Sequence, residues 1–174
     1  MRREKPRPAC RSAFAGLLLL AGAFGGVLLL AAALPGSASA QCILANPSFE
    51  MGGSGGAVFG GWNQFGSAGA TAVAAHGAQA ARLSGPNAGG WDVSGYWQRM
   101  DAEPGERWQV TGHVRHPASK PLVGSSRALV NIEWRNVAGD LIDYDSFAVA
   151  DPSTPADQYL DFTVVSDPAP AGTA

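Results

Sequence analysis

Alternation of apolar and polar residues dominates the chain from about residue 40 onward, and its period is that of a β-strand. In the run RWQVTGHVR, Trp108, Val110 and Val114 share one face while polar side chains occupy the other. The run ALVNIEW repeats this scheme, with Ile132 and Trp134 on the apolar side. No stretch of this region shows the stripe of an amphipathic helix. The run QYLDFTVV also alternates, and we therefore predict an all-β domain, with weaker strands in GYWQRM, AQAARL, LIDYDSF and CILANPSF.

Short segments rich in Gly, Pro, Asn and Asp separate these runs. EPGER places Pro104 and Gly105 where a type II turn prefers them, and NVAGD has the composition of a tight turn. Seven to nine strands at this spacing predict a β-sandwich, and the longer loops are compatible with a jelly roll. The closing DPAPAGTA has the composition of a loop that precedes another strand. We expect a C-terminally truncated sandwich that lacks its last strand.

The N-terminal region has the layout of a secretory signal. Five cations precede an uncharged run over residues 13–34, and the small residues Ala38 and Ala40 follow a Pro-Gly break. We predict a signal peptide over residues 1–40, cleavage after Ala40, and an extracytoplasmic domain over residues 41–174. The alternative is an N-terminal membrane anchor, because about 20 apolar residues suffice to span a bilayer.

Charge and cysteine content narrow the classes of partner. Residues 41–174 contain seven cations and thirteen acids, a net charge of −6. This acidic balance argues against nucleic acid and, once the signal is cleaved, against anionic membranes. Cys42 is the only cysteine in this region, so an internal disulfide is excluded.

Six segments, taken in order, resemble the CenC-like carbohydrate-binding modules that bind xylan or cellulose: NPSFE, HGAQAARLSG, GYWQRM, PGERWQVTGHVR, ALVNIEWRNVAGDLI and DFTVVSDPAPAGTA. The resemblance covers Cys42 to Ala174 and implies the galactose-binding-domain-like jelly roll, with NPSFE as its first strand. It also implies that Glu50 helps to hold a structural calcium with an aspartate from the last strand. Because calcium takes six to eight oxygens, one carboxylate is not a site. No other cofactor is required.

The tryptophans divide into core and surface candidates. Sugars present flat CH faces to aromatic rings and hydroxyls to polar side chains. Trp108 and Trp134 lie on apolar strand faces and are predicted to be core, and Trp62 is predicted to cap that core. Trp91 lies in the glycine-bounded loop NAGGWDVSG without an apolar stripe. The resemblance implies that Trp91 stacks on the bound sugar.

Two adjacent aromatic residues in GYWQRM extend the list of sugar-binding candidates. Tyr96 and Trp97 point to opposite faces of their strand, so one is expected to be core and the other exposed, and the alternation does not say which. Gln98 matches a glutamine that is common in this strand of the family. It either contacts sugar or serves the sheet.

Polar faces of two strands supply the remaining candidates. His113 and Arg115 lie on one strand, and Asn131 and Glu133 lie on another. If these strands are neighbours, the four side chains would line the floor of a glycan-binding cleft. The alternative is an ordinary solvated face, which antiparallel sheets often have.

Catalysis has little support in the sequence. A glycosidase needs a pair of carboxyl groups that flank the scissile bond, and Glu133 has no evident partner. His113 and His116 fall on opposite strand faces, and His76 is isolated in a stretch of small residues. We therefore expect a non-catalytic module that binds polysaccharide and accompanies a catalytic domain outside this chain. The alternatives are an adhesion β-sandwich that makes protein contacts without sugar and, more weakly supported, a fragment of a polysaccharide-degrading enzyme.

Overall fold

A computed structural model describes residues 44–85 and 93–174, and every regular element in these ranges is a β-strand. The all-β prediction is therefore confirmed. The eight strands are β1 (Asn63–Phe65), β2 (Ser67–Thr71), β3 (Ala80–Ser84), β4 (Gly95–Trp97), β5 (Gln109–Val114), β6 (Ala128–Arg135), β7 (Leu141–Ala150) and β8 (Leu160–Val165).

The strands form four antiparallel pairs: β1 with β4, β2 with β3, β5 with β8, and β6 with β7. The longest pair, β6–β7, is a hairpin closed by the predicted NVAGD turn. In that turn Gly139 donates its N–H to the Asn136 carbonyl at 2.8 Å. Its φ of 88° lies in the left-handed region, which a residue without a Cβ adopts most readily.

The main core lies between the β5–β8 and β6–β7 pairs. Trp134 is 3% exposed and is packed with Ile132 and Ala169, and Trp108 and Phe147 close the cluster. The Trp108 and Trp134 rings meet edge to face with centroids 5.5 Å apart, a favoured aromatic geometry. Both tryptophans are core residues as predicted. The two strand pairs thus meet through apolar side chains.

A second aromatic cluster lies between the N-terminal segment and β4. Phe59 is fully buried, and the Phe49 ring contacts its edge at a centroid distance of 5.1 Å. Phe49 also stacks on Trp62 at 4.6 Å, and Tyr96 lies 5.5 Å from Phe59. Trp62 is half-buried here, so it covers this smaller cluster.

The segment NPSFE is a compact turn, and the prediction that it forms the first strand is wrong. Asn46 and Phe49 have φ values of 47° and 59°, which lie in the left-handed region and outside the β region of an extended strand. The Asn46 side chain donates to the carbonyls of Met51 and Gly60 and accepts from the Met51 N–H. These bonds fold the chain back on itself and bring Phe49 onto Trp62.

Candidate functional site

One face of the β1–β4 pair carries two exposed aromatic rings. The register places Asn63 opposite Trp97 and Phe65 opposite Gly95, so these four residues share a face. We call them the aromatic face. The side chains of Trp97 and Phe65 lie at diagonal positions of the ladder and the residues are 46% and 47% exposed. Trp97 is therefore the exposed member of the Tyr96–Trp97 dipeptide, which the alternation alone left open.

Gly95 fixes the orientation of the Phe65 ring. A Cβ added at Gly95 would lie 2.6 Å from that ring, so the ring lies directly on the bare backbone of β4. Any larger residue at this position would displace it. One side of the Phe65 ring is thus held by the strand, and the exposed side is available to a ligand.

Tyr96 and Gln98 support the aromatic face from behind. The half-buried Tyr96 hydroxyl donates to the Gly69 carbonyl at 2.8 Å, and burial raises the pKa of Tyr96. The Gln98 amide bridges the backbone of Ala45, accepting from its N–H at 3.0 Å and donating to its carbonyl at 2.6 Å. Both side chains hold the fold together in this structure.

Ser94, which directly precedes β4, is bonded to the start of β2 and the end of β3. Its hydroxyl donates to the Ser84 carbonyl at 2.8 Å and accepts the Ser67 N–H at 2.7 Å. Residues 86–92, including Trp91, lie outside the described residues. The sugar-stacking role of Trp91 stays a prediction.

An open depression of about 310 Å³ adjoins the aromatic face, a volume at the small end of ligand pockets. Asn63 belongs to both, because it pairs with Trp97 and also lines the depression. Its amide could meet the hydroxyls of a ligand that lies on the rings. The other lining residues are Ser54, Ala57, Phe59, Gly60, Gly61 and Trp62.

The predicted polar row on β5 and the residue that follows it is engaged by acids: a hydrogen bond at His113 and an ion pair at Arg115. His113 Nδ1 lies 2.6 Å from Asp161 Oδ1, and Arg115 lies 2.5 Å from Asp157 Oδ1. Both acids come from β8 or the residues just before it. The row on β5 therefore belongs to the β5–β8 surface.

The predicted polar row on β6 lies on a different surface. Asn131 accepts the Ser146 hydroxyl at 2.7 Å, and Glu133 lies 2.5 Å from the Arg135 guanidinium. Glu133 also faces Tyr144, which is 58% exposed and which the sequence analysis missed. The alternation in LIDYDSF could have placed Tyr144 on this face.

These pairings separate the two polar rows. β5 pairs with β8 and β6 pairs with β7, and the apolar faces of the two pairs meet around Trp108 and Trp134. Each polar row is on the strand face opposite its core residues, so both rows point away from the shared core. One continuous cleft floor would require β5 and β6 to be neighbours, and these two strands are not paired with each other.

Glu50 binds backbone amides. Its carboxylate accepts the N–H groups of Ala78 at 3.1 Å and Gln79 at 3.3 Å. Across residues 44–85 and 93–174, no group of three or more His, Cys, Asp or Glu residues is placed to hold a metal ion. The calcium role of Glu50 stays a prediction.

No family model, curated protein or solved structure matches this chain. Within the described ranges, no helix has the length and apolar character needed to cross a membrane.

Proposed function

We propose that this chain is an exported, non-catalytic carbohydrate-binding domain that holds polysaccharide against its aromatic face. The observation that carries the proposal is the pair of exposed rings, Trp97 and Phe65, on one face of a single two-stranded ladder. Adjacent exposed aromatic residues are costly to keep in water and commonly mark binding surfaces. A neighbouring Ser, Asn and Gly-rich depression would offer hydrogen bonds to sugar hydroxyls.

The chemistry of the face suits a neutral polysaccharide of the plant or cell-wall type. Aromatic rings attract the flat CH faces of pyranose rings, whereas the six excess acids of residues 41–174 would repel a polyanionic glycan. The finer fold we propose is a jelly-roll β-sandwich, supported by the contact of two strand pairs through their apolar faces. A catalytic domain outside this chain is the proposed companion.

The exposed area of Trp97 sets the size of the expected effect. A tryptophan buries about 150–250 Å² when fully covered, so covering the 46% that is exposed removes roughly 100 Å² from water. At about 25 cal/mol per Å² this contributes about 2.5 kcal/mol, which corresponds to a roughly 60-fold change in affinity.

The test is affinity electrophoresis in gels that contain soluble xylan, together with retention on insoluble cellulose. We expect Trp97→Ala to weaken binding at least tenfold and Phe65→Ala to weaken it less. Tyr144→Ala is the matched control, because it removes an exposed aromatic side chain from β7, away from the aromatic face. The control should bind as the parent chain does, and all variants should keep its melting temperature.

Three results would count against the proposal. Unchanged retention of Trp97→Ala alongside a binding parent chain would exclude the aromatic face as the site. Absence of retardation of the parent chain in every neutral polysaccharide would favour the adhesion alternative, in which this face contacts protein. Release of reducing sugar that Glu133→Gln abolishes would instead support the enzyme alternative.

A further inference from the structure

Two histidines that are distant in sequence meet on the β5–β8 surface. His76 lies in the connection between β2 and β3, and His113 lies on β5. Their ring centroids are 4.8 Å apart and their planes are inclined at 66°. Both residues are exposed, so the pair is open to solvent and to small ions.

Asp161 fixes the His113 ring. The two residues are cross-strand partners in the β5–β8 register, and Asp161 Oδ1 lies 2.6 Å from His113 Nδ1. A carboxylate on Nδ1 favours the tautomer whose Nε2 carries the free lone pair. Metal-binding histidines commonly have this arrangement, because the carboxylate orients the ring and increases its basicity.

The connection that carries His76 is tied down on both sides of it. The Tyr159 hydroxyl donates to the Val73 carbonyl at 2.6 Å. On the other side, the Glu50 carboxylate accepts the N–H of Ala78, and the Gln79 side chain donates to the Phe49 carbonyl at 2.9 Å. These hydrogen bonds hold the connection in place beside β5. A ligand that binds both rings therefore loses little free energy in ordering the backbone around His76.

We propose that His76 and His113 form a surface site for a divalent first-row transition-metal ion such as zinc, with Asp161 as a positioning residue. Imidazole nitrogen is a ligand that zinc, copper and nickel accept, whereas calcium and magnesium prefer oxygen. The described residues place no third His, Cys, Asp or Glu in a metal-binding group. Solvent would therefore complete the coordination sphere.

The spacing of the rings suits one shared ion. A zinc–nitrogen bond of about 2.0–2.1 Å places the metal roughly 3.2 Å from the centre of each imidazole, so tetrahedral geometry sets the two centres about 5.2 Å apart. The observed centroid separation is 4.8 Å. Side-chain rotations at an exposed site are enough to close this difference.

Zinc titration of the full chain by isothermal calorimetry tests the site. We expect one zinc ion per chain, and a loss of at least tenfold in affinity for His76→Ala and for His113→Ala. Asp161→Asn should weaken binding about tenfold, and Asp161→Glu should recover part of the loss, which a merely structural carboxylate would not produce. Cys10→Ser/Cys42→Ser, which removes both thiols of the chain, should leave this affinity unchanged.

A second measurement needs no histidine variant. Cobalt(II) added to the full chain should broaden the NMR signals of the His76 and His113 rings much more strongly than those of His116. The His116 ring is buried and its Nε2 lies 2.8 Å from the Thr154 carbonyl, which makes it an internal control. Equal zinc affinity in His76→Ala and the parent chain, or cobalt broadening that leaves both rings unaffected, would overturn the proposal. Neither outcome depends on whether the aromatic face binds sugar.

Discussion

Asn46 organises the N-terminal turn that supports the aromatic cluster, and replacing it with alanine is the sharpest test of the fold. Its buried side chain makes three hydrogen bonds, to the Met51 carbonyl at 3.0 Å, the Gly60 carbonyl at 2.9 Å and from the Met51 N–H at 3.1 Å. Its own carbonyl accepts the Trp62 Nε1–H at 2.9 Å. The turn therefore depends on one side chain and one backbone conformation.

The expected loss in the free energy of unfolding follows from these contacts. Each hydrogen bond contributes about 1 kcal/mol net, so three contribute about 3 kcal/mol. The φ of 47° adds roughly 1 kcal/mol for alanine, because asparagine tolerates the left-handed region better than most residues. Asn46→Ala should thus lower the free energy of unfolding by about 4 kcal/mol, a large part of the ~5–15 kcal/mol of an ordinary domain.

Two further variants separate the contributions. Asn46→Gly permits the left-handed backbone and loses the bonds, so a loss of about 3 kcal/mol is expected. Asn46→Asp keeps the acceptor for the Met51 N–H and loses the two donor bonds, which predicts a loss of at least about 2 kcal/mol. The parent chain should be the most stable, and Gly should be more stable than Ala.

Urea denaturation followed by tryptophan fluorescence measures these differences, and Trp62 reports directly on the turn because it hydrogen-bonds Asn46. We expect a lower midpoint with an unchanged slope, since the surface buried on folding is nearly the same in each variant. A loss below about 1 kcal/mol for Asn46→Ala would contradict a stabilising role of the three hydrogen bonds, and equal losses in Gly and Ala would contradict a cost of the left-handed backbone.

Two other predictions concern single residues of the sheets. Gly112→Ala should lower stability by about 1–3 kcal/mol, because its Cβ would lie 2.6 Å from the ring of its cross-strand partner Phe162. A thermal melt checks this, and the cost should shrink in a Phe162→Leu background. Burial raises the pKa of Tyr96 in the folded protein. The contribution of Tyr96 to the free energy of unfolding is therefore complete below the unfolded-state pKa near 10 and is lost as the pH rises above it. Tyr96→Phe should cost about 1 kcal/mol of stability at pH 7 and should reduce the decline of the melting temperature at alkaline pH. Burial also raises the pKa of Tyr159, which accounts for part of the decline that persists. An undiminished decline would contradict this assignment.

Local patterns predicted most of the strands. The runs predicted around Trp108 and Leu160 contain β5 and β8, and the weaker run GYWQRM contains β4. The runs ALVNIEW, AQAARL and LIDYDSF cover most of β6, β3 and β7, which extend one to three residues further. The two strands that were missed, β1 and β2, have the sequences NQF and SAGAT, which are too short or too rich in small residues to show alternation. The prediction of a strand in NPSFE was wrong because the hydrogen bonds that bend this segment join Asn46 to residues further along the chain, which the local pattern does not reveal.

Prediction of the candidate site was partial. Trp97 was singled out as an aromatic candidate, but its exposure depended on Tyr96 turning toward Phe49 and Phe59. Phe65 was missed because it reaches the same surface only through the β1–β4 register. A face built from two strands is invisible in either strand alone.

The sequence by itself determined which residues alternate, and therefore which side of each strand is apolar. This is a property of the extended backbone, whose successive side chains point to opposite faces, and it placed Trp108 and Trp134 in the core. Only the tertiary structure decided which strands lie side by side. It paired β5 with β8 and brought His76 onto His113, because pairing depends on how distant apolar faces are buried together and where the loops permit them to meet.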